Sequence, residues 1–293
     1  MNKIHPSIVI HAGAGPLLPS KASETRAHES LKKIVNDAYE KLIAGEKAID
    51  VVVWNVTQLE DNPQFNAGTG CMLQSDGVAR MTASLMDGSR GKFSGLMNIE
   101  EIKNPIQVAK LLQEEMDRVI SGRGAKAYSR RMNFPYYNPI TEQSHAEWKS
   151  RLEGKALGLE TMVGTVGCVC VDEYGNLAAA TSTGGKGMEI MGRVGDSATI
   201  AGNYASKSAA VSSTGIGEEI VENGLAVKIV TRVDDGMSLQ QSFEKTFSEL
   251  KEKHGRAGCI GVDVEGNVSA KFTTPCMLHA IKTNNREYVY PEL

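Results

Sequence analysis

Thr165, in Gly164-Thr165-Val166-Gly167, is the residue with the most chemistry to offer. A threonine hydroxyl is a weak nucleophile without a base, and no histidine lies near it in sequence. If the Gly164–Thr165 bond were broken, Thr165 would carry a free α-amine with a pKa of about 7.7 to 8.0. That amine could take the proton of its own residue's hydroxyl. Gly164 suits such a junction, because without a Cβ it leaves its carbonyl open to attack. Taken alone, the four residues favour the plainer reading, the start of a core strand.

The neighbouring segments supply partners. Residues 165–171 form an apolar run that reads as a buried strand, followed by a turn at 172–176 and a second strand at 177–180. The second strand leads into Thr181-Ser182-Thr183-Gly184-Gly185, and Gly192-Arg193-Val194-Gly195-Asp196-Ser197 follows. Arg193 can pair with a carboxylate through two parallel bonds, and Asp196 can accept from an ammonium. The plainer alternative is a loop ion pair three residues apart, worth little at a surface. Thr214-Gly215, shortly before Glu218, reads as a helix start with Thr214 near the N-cap, a place that also suits an anion. Asn66-Ala67-Gly68 is turn chemistry.

These residues need a scaffold, and 293 residues with 41% hydrophobic content suffice for a sizeable core. A net charge of -3 gives no case for nucleic acid or an anionic membrane. No apolar run is long enough to span a bilayer, and the first residues lack the apolar stretch of a secretory signal. Five cysteines, an odd number, point to free thiols in a reducing cytoplasm. Cys168 and Cys170 share a strand face, but no matching Cys/His pair marks a metal site.

Residues 7–11 are expected to form a strand, 23–42 a helix and 48–59 a second helix. Strands are expected at 71–74 and 79–85, joined by the hairpin signal Ser75-Asp76-Gly77. Pro105 opens a helix to about residue 119. Residues 122–164, polar and Pro-containing with a short helical stretch near 146–157, read as a mobile linker. Two similar hairpins follow, at 167–176 and 258–267, with helices at 218–230 and 238–253 between them. This order suggests stacked sheets covered by helices.

Nine segments, in order, resemble the plant-type asparaginase and isoaspartyl peptidase family of N-terminal-nucleophile hydrolases, whose relatives include aspartylglucosaminidase. They are His11-Ala12-Gly13-Ala14-Gly15, residues 59–63, 65–70 and 83–88, Lys103-Asn104-Pro105, the region of Thr165, and residues 181–185, 192–197 and 214–218. The resemblance implies an α+β fold, a four-layer αββα sandwich. It also implies autocleavage between Gly164 and Thr165 into an α segment (1–164) and a β segment (165–293) that together form one domain. Thr165 then resembles the nucleophile and Thr183 the hydroxyl beside it. Arg193, Asp196 and Gly217 would hold the aspartyl head of the substrate, Thr214 and Gly215 the oxyanion, and Asn66 a place close by. The loop at 59–69 is similar to one that wraps a structural sodium ion with the carbonyls of Leu59, Glu60, Asn62, Phe65, Ala67 and Thr69.

No organic cofactor is implied, and the partners would be small-molecule substrates and a second αβ unit in a homodimer. The expected substrates are β-aspartyl dipeptides first and asparagine second. Glycosylasparaginase activity is an alternative that the absence of a signal argues against. From a different class, an unprocessed member could simply bind amino acids. Ala12 stands where the family usually has glycine, so slower cleavage is expected. Residues 186–191 are unlike the common family loop, residues 200–204 are shorter than their counterpart, and the linker is shorter than in many relatives.

Overall fold

In a computed structural model, residues 4–17, 20–154 and 164–291 are described. The first strand, β1 (Ser7–Gly15), alternates strictly: Ile8, Ile10 and Ala12 join the core beneath the helices, while Val9 joins a core between two sheets. That double burial makes its sequence nearly continuously apolar, as a strand covered on both faces requires. Helices α1 (Lys21–Ile43) and α2 (Ala48–Asp61) follow. The first is started by the Ser20 hydroxyl, which accepts the Ser23 N–H at 3.2 Å. Next come β2 (Met81–Asp87), β3 (Lys92–Ile99), α3 (Pro105–Leu112), β4 (Val119–Ser121), α4 (Gly122–Arg131) and α5 (Glu142–Leu152).

Beyond Thr165 lie β5 (Val166–Val171), β6 (Leu177–Thr183), β7 (Asn203–Ala205) and β8 (Ala209–Gly215). Helices α6 (Gly217–Asn223), α7 (Leu225–Asp234) and α8 (Leu239–Glu252) come next. Strands β9 (Ala257–Asp263), β10 (Val268–Phe272), β11 (Cys276–Lys282) and β12 (Glu287–Tyr290) end the chain. One sheet runs β12-β11-β1-β5-β6-β2-β3-β4 and the other β10-β9-β8-β7. They stack face to face, with α1, α2 and α3 on the larger sheet and α7 and α8 on the smaller. This is the αββα sandwich of the sequence reading.

The two similar hairpins form as expected, one in each sheet. In each, an aspartate organises the turn: Asp172 Oδ1 accepts the Tyr174 and Asn176 N–H groups, and Asp263 Oδ1 those of Glu265 and Asn267.

Several expectations need correction. Residues 71–74 are not a strand of either sheet. Their backbone is taken by Asn66, whose Oδ1 accepts the Met72 N–H at 2.8 Å, and by Met188, whose N–H reaches the Leu73 carbonyl at 2.9 Å. β2 pairs instead with β3, which the sequence reading missed. The helix from Pro105 stops at Leu112. The helix expected at 218–230 is broken at Gly224, whose φ of 57° ends α6.

Much of the supposed linker is helical. α4 buries Ala125, Tyr128 and Ser129, and α5 opens with a capping box between Thr141 and Ser144. Trp148 fastens α5 by donating its indole N–H to the Gln74 carbonyl at 3.0 Å. Residues 155–163 lie outside the described residues.

Candidate active site

Thr165 stands immediately before β5, at the end of the larger sheet, next to the end of β6 where Thr183 lies. Because residues 166 and 182 are paired across these strands, the two threonines meet: Thr165 Oγ1 donates to Thr183 Oγ1 at 3.0 Å. Thr183 Oγ1 also accepts the Gly185 N–H at 3.1 Å, fixing its rotamer. Asn66 braces this corner, donating to the Gly185 carbonyl at 2.6 Å while its own carbonyl accepts the Gly184 N–H at 3.0 Å.

On the other side of β5 lies β1. Gly13 has a φ of 116°, and a Cβ there would fall 2.4 Å from the Gly164 nitrogen. Only glycine at position 13 allows Gly164 to lie so close. The Ala12 methyl, by contrast, faces the helices in the core. The steric ground for slower cleavage therefore falls away.

Thr214 is not an N-cap. It lies within β8 of the opposite sheet, and Ile216 occupies the cap position of α6. Its Oγ1 accepts the Ala14 N–H at 3.2 Å, which leaves its own proton for another acceptor. Gly215 has a φ of 136° and is packed so tightly that a Cβ would lie 2.6 Å from the Arg256 carbonyl. A threonine hydroxyl and the backbone N–H of Gly215 thus stand across the cavity from β5.

Arg193 and Asp196 sit on a loop fastened at both ends. The Gly192 N–H donates to Gln74 Oε1 at 3.0 Å, the Gly192 carbonyl accepts from Asn98 Nδ2 at 3.0 Å, and the Ser197 carbonyl accepts from Ser84 Oγ. The expected alternative, an Arg193–Asp196 ion pair, does not form. Arg193 pairs with Glu218 instead, Nε to Oε1 at 3.0 Å and Nη2 to Oε2 at 2.8 Å. That pairing holds the Glu218 carboxyl down at about 2. Asp196 is buried, its Oδ2 has no partner, and burial pushes its pKa up to about 7 against the pull of Arg193. Gly217 faces both groups, since a Cβ there would lie 2.6 Å from Arg193 Nη2 and 3.0 Å from Asp196 Oδ1.

Thr165, Thr183, Asn66, Thr214, Gly215, Gly217, Arg193 and Asp196 all line one cavity of about 680 Å³. The Arg193–Asp196 loop lies over β2, on one side of Thr165 in the sheet. The cavity continues to the other side, over the ends of β1 and β11, where Pro16, Leu17, Pro275 and Leu278 line it together with the polar Thr273, Thr274 and Arg256.

His11 and Glu60, which the sequence reading placed only as members of a family segment and of the cation loop, bury their side chains behind the site. His11 Nε2 meets Ser212 Oγ at 2.9 Å, and Ser212 Oγ meets Thr181 Oγ1 at 2.7 Å, so a polar chain joins the two sheets. Burial lowers the His11 pKa to about 3, outweighing a backbone hydrogen bond at Thr165, so the ring is neutral. A histidine therefore does lie near Thr165, brought there by strand pairing from far away in sequence. Glu60 is also buried; its Oε1 accepts from Ser182 Oγ at 2.6 Å and from the Ile106 N–H at 3.1 Å. Burial raises its pKa to about 8.

The Glu60 carbonyl accepts the Thr69 N–H at 2.8 Å and that of Phe65 the Ala67 N–H at 2.9 Å, while Leu59 and Asn62 accept from Asn62 and Phe65. No donor among the described residues reaches the carbonyls of Ala67 and Thr69. A tight loop with carbonyl oxygens to spare fits a hard cation. Among the described residues, no group of three or more His, Cys, Asp or Glu could hold a metal ion.

The fold is that of an N-terminal-nucleophile hydrolase. The family model described as asparaginase matches residues 4–290, and the chain belongs to that family. An isoaspartyl peptidase/L-asparaginase of Synechocystis is 44% identical over 290 residues, covering 95% of this chain and 88% of the relative. The isoaspartyl peptidase of Escherichia coli is 36% identical over 93% of this chain and 91% of its own. A plant-type L-asparaginase of Pyrococcus horikoshii is 35% identical over 96% and 97%.

Proposed function

We propose that this protein is an autoprocessed threonine amidohydrolase that cleaves β-aspartyl dipeptides and, less readily, L-asparagine. The observation that carries this reading is the convergence at Gly164–Thr165. The Thr165 hydroxyl touches Thr183, and the Gly164 backbone lies against Gly13. In self-cleavage, Thr165 Oγ1 attacks the Gly164 carbonyl and the peptide C–N bond breaks. The acyl group passes to oxygen, and water hydrolyses the ester, leaving Thr165 with a free amine.

In turnover, that amine takes the Thr165 hydroxyl proton as the oxygen attacks the side-chain amide of the substrate. Thr214 Oγ1–H and the Gly215 N–H stabilise the resulting oxyanion. The leaving amine receives the proton, and water releases aspartate from the ester. Arg193 grips the α-carboxylate of the aspartyl head and Asp196 its ammonium. The leaving residue extends over Pro16 and Pro275, a volume that asparagine leaves unfilled.

The carbonyls of Leu59, Glu60, Asn62, Phe65, Ala67 and Thr69 in the loop at 59–69 would hold a sodium ion, which would stiffen the turn carrying Asn66. Two αβ units associate as a homodimer. The five buried free thiols suit a cytoplasmic setting, and no helix among the described residues is long and apolar enough to cross a membrane.

Thr165→Ala tests the mechanism. Intact mass should stay that of one chain, and β-Asp-Leu should not be hydrolysed, whereas the unmutated protein gives two chains beginning at residues 1 and 165. Division of the Thr165→Ala chain at this bond, or residual hydrolysis by it, would remove Thr165 as nucleophile. An unmutated protein that stays whole yet binds aspartate would favour the amino-acid-binding reading.

A further inference from the structure

Arg193 and Asp196 are three residues apart, both border the same cavity, and Asp196 Oδ2 is buried without a partner. Opposite charges so placed should neutralise each other, which would close the head site before any substrate arrived. They do not pair.

A guanidinium has two edges that can each accept a carboxylate in paired fashion: Nε with Nη2, and Nη1 with Nη2. Glu218 occupies the first edge with two hydrogen bonds, at 3.0 and 2.8 Å. No hydrogen bond reaches Nη1 from any described residue. Cβ-less walls lie beside that outer edge, since Cβ atoms at Gly195 and Gly217 would come 2.9 Å from Nη1 and 2.6 Å from Nη2. The Arg193 side chain is 13% exposed and that of Glu218 48%. Both side chains border the cavity, the arginine far more buried than the carboxylate that holds it. Lys186, with Nζ 3.7 Å from Glu218 Oε1, is the other cation beside it.

We infer that Glu218 is a positioning residue for substrate recognition: it engages the inner edge of Arg193, turns the outer edge to the cavity, and so keeps Arg193 from collapsing onto Asp196. The site then presents a separate cation and anion to the zwitterionic head of an aspartyl unit. This inference rests on the proposed role of Arg193 and Asp196 in holding that head. In the family reading, Glu218 is only the acidic residue that closes the Thr214–Glu218 motif. As a plain helix-start acid it would have no effect on ligand affinity.

Binding of L-aspartate to cleaved protein, measured by calorimetry, reads the head site without any turnover. Glu218→Gln keeps the side-chain shape but loses the charge, and it should weaken aspartate binding at least tenfold. Glu218→Asp, which restores the charge on a shorter arm, should recover part of the loss. In turnover of β-Asp-Leu, KM should rise by a similar factor while kcat changes much less. The crystal structure of the Glu218→Gln protein should show Arg193 turned onto Asp196. Unchanged aspartate affinity, or an Arg193 that stays in place in the variant, overturns the inference. If the unmutated protein binds aspartate and Glu218→Gln weakens it, yet β-Asp-Leu is never hydrolysed, the inference stands and the proposed reaction falls.

Discussion

Gly13→Ala is a sharp test of how the proposed cleavage junction is built. The new Cβ would lie 2.4 Å from the Gly164 nitrogen and 2.8 Å from its Cα. Both are backbone atoms, so no flexible side chain can give way. Reaching ordinary contact near 3.4 Å requires Gly164 to retreat by about 1 Å, and a misplacement of that size at a reacting centre costs on the order of 100-fold in rate. The φ of 116° at residue 13 adds strain of about 1–3 kcal/mol for an L side chain. At roughly 2–4 °C per kcal/mol in a large chain, that lowers the melting temperature by roughly 2–12 °C. Freshly purified protein incubated at fixed temperature, with intact mass followed over time, should show the full-length chain persisting about 100-fold longer than in the unmutated protein. Ala12→Gly is the control: it removes a core methyl on the opposite face and should cost stability without speeding cleavage. Gly13→Ala protein that divides at the unmutated rate would refute the claim that contact with Gly13 sets the position of Gly164.

Arg193→Lys should raise KM for β-Asp-Leu at least tenfold while leaving self-cleavage intact, because an ammonium cannot form paired bonds and the precursor has no substrate carboxylate to hold; loss of both in parallel would indicate a folding role. Thr183→Ala should slow self-cleavage less than Thr165→Ala, which should abolish it, and gel densitometry of the two chains orders them. Stability should depend on pH through three buried groups, His11, Glu60 and Asp196. His11, lowered to about 3, leaves the unfolded chain binding the extra proton below about 6.5, so its contribution to stability is lost as pH falls through that window. Glu60, raised to about 8, keeps a proton that the unfolded chain releases above 4.5, so it destabilises as pH rises. Asp196, raised to about 7, acts in the same sense as Glu60, so His11 opposes both between 4.5 and 6.5, and above 7 the decline up to pH 8 is carried by Glu60, with a slope of up to about 1.4 kcal/mol per pH unit. Glu60→Gln should remove the decline in melting temperature between pH 7 and 8; an unaltered decline there would mean that Glu60 is ionised in the folded protein.

Local signals made the hairpins legible, because Asp172 and Asp263 write each turn in five consecutive residues. Helix α1 was equally plain, since Ala27, Leu31, Ile34, Val35, Ala38 and Leu42 recur on one face. The site motifs were legible as residue types in family order. Their relations were not. Nothing near Arg193 in sequence indicates that Glu218 takes its inner edge, and nothing near Thr165 indicates His11, because both relations are made by chain segments far apart. Residues 71–74 carry strand-like composition but meet a loop rather than a sheet. The polar segment from residue 122 looked unstructured because α4 and α5 bury narrow faces, and α5 is fastened by one tryptophan.

The strand order of the larger sheet bears on how this protein can be made at all. Strands β11, β5 and β6 come from after residue 164, and β1 and β2 from before it, yet they alternate at three seams: β11 with β1, β1 with β5, and β6 with β2. While the backbone is whole, assembling those seams is a unimolecular event. Once the backbone is cut, the same event requires two separate molecules to find each other, and the tether that kept their local concentration high is gone. If the chain is cut between Gly164 and Thr165 as proposed, heating the nicked protein past its transition should be a one-way passage governed by rate rather than equilibrium. Synthesis of the α and β segments as independent polypeptides should yield far less native material than synthesis of the single chain.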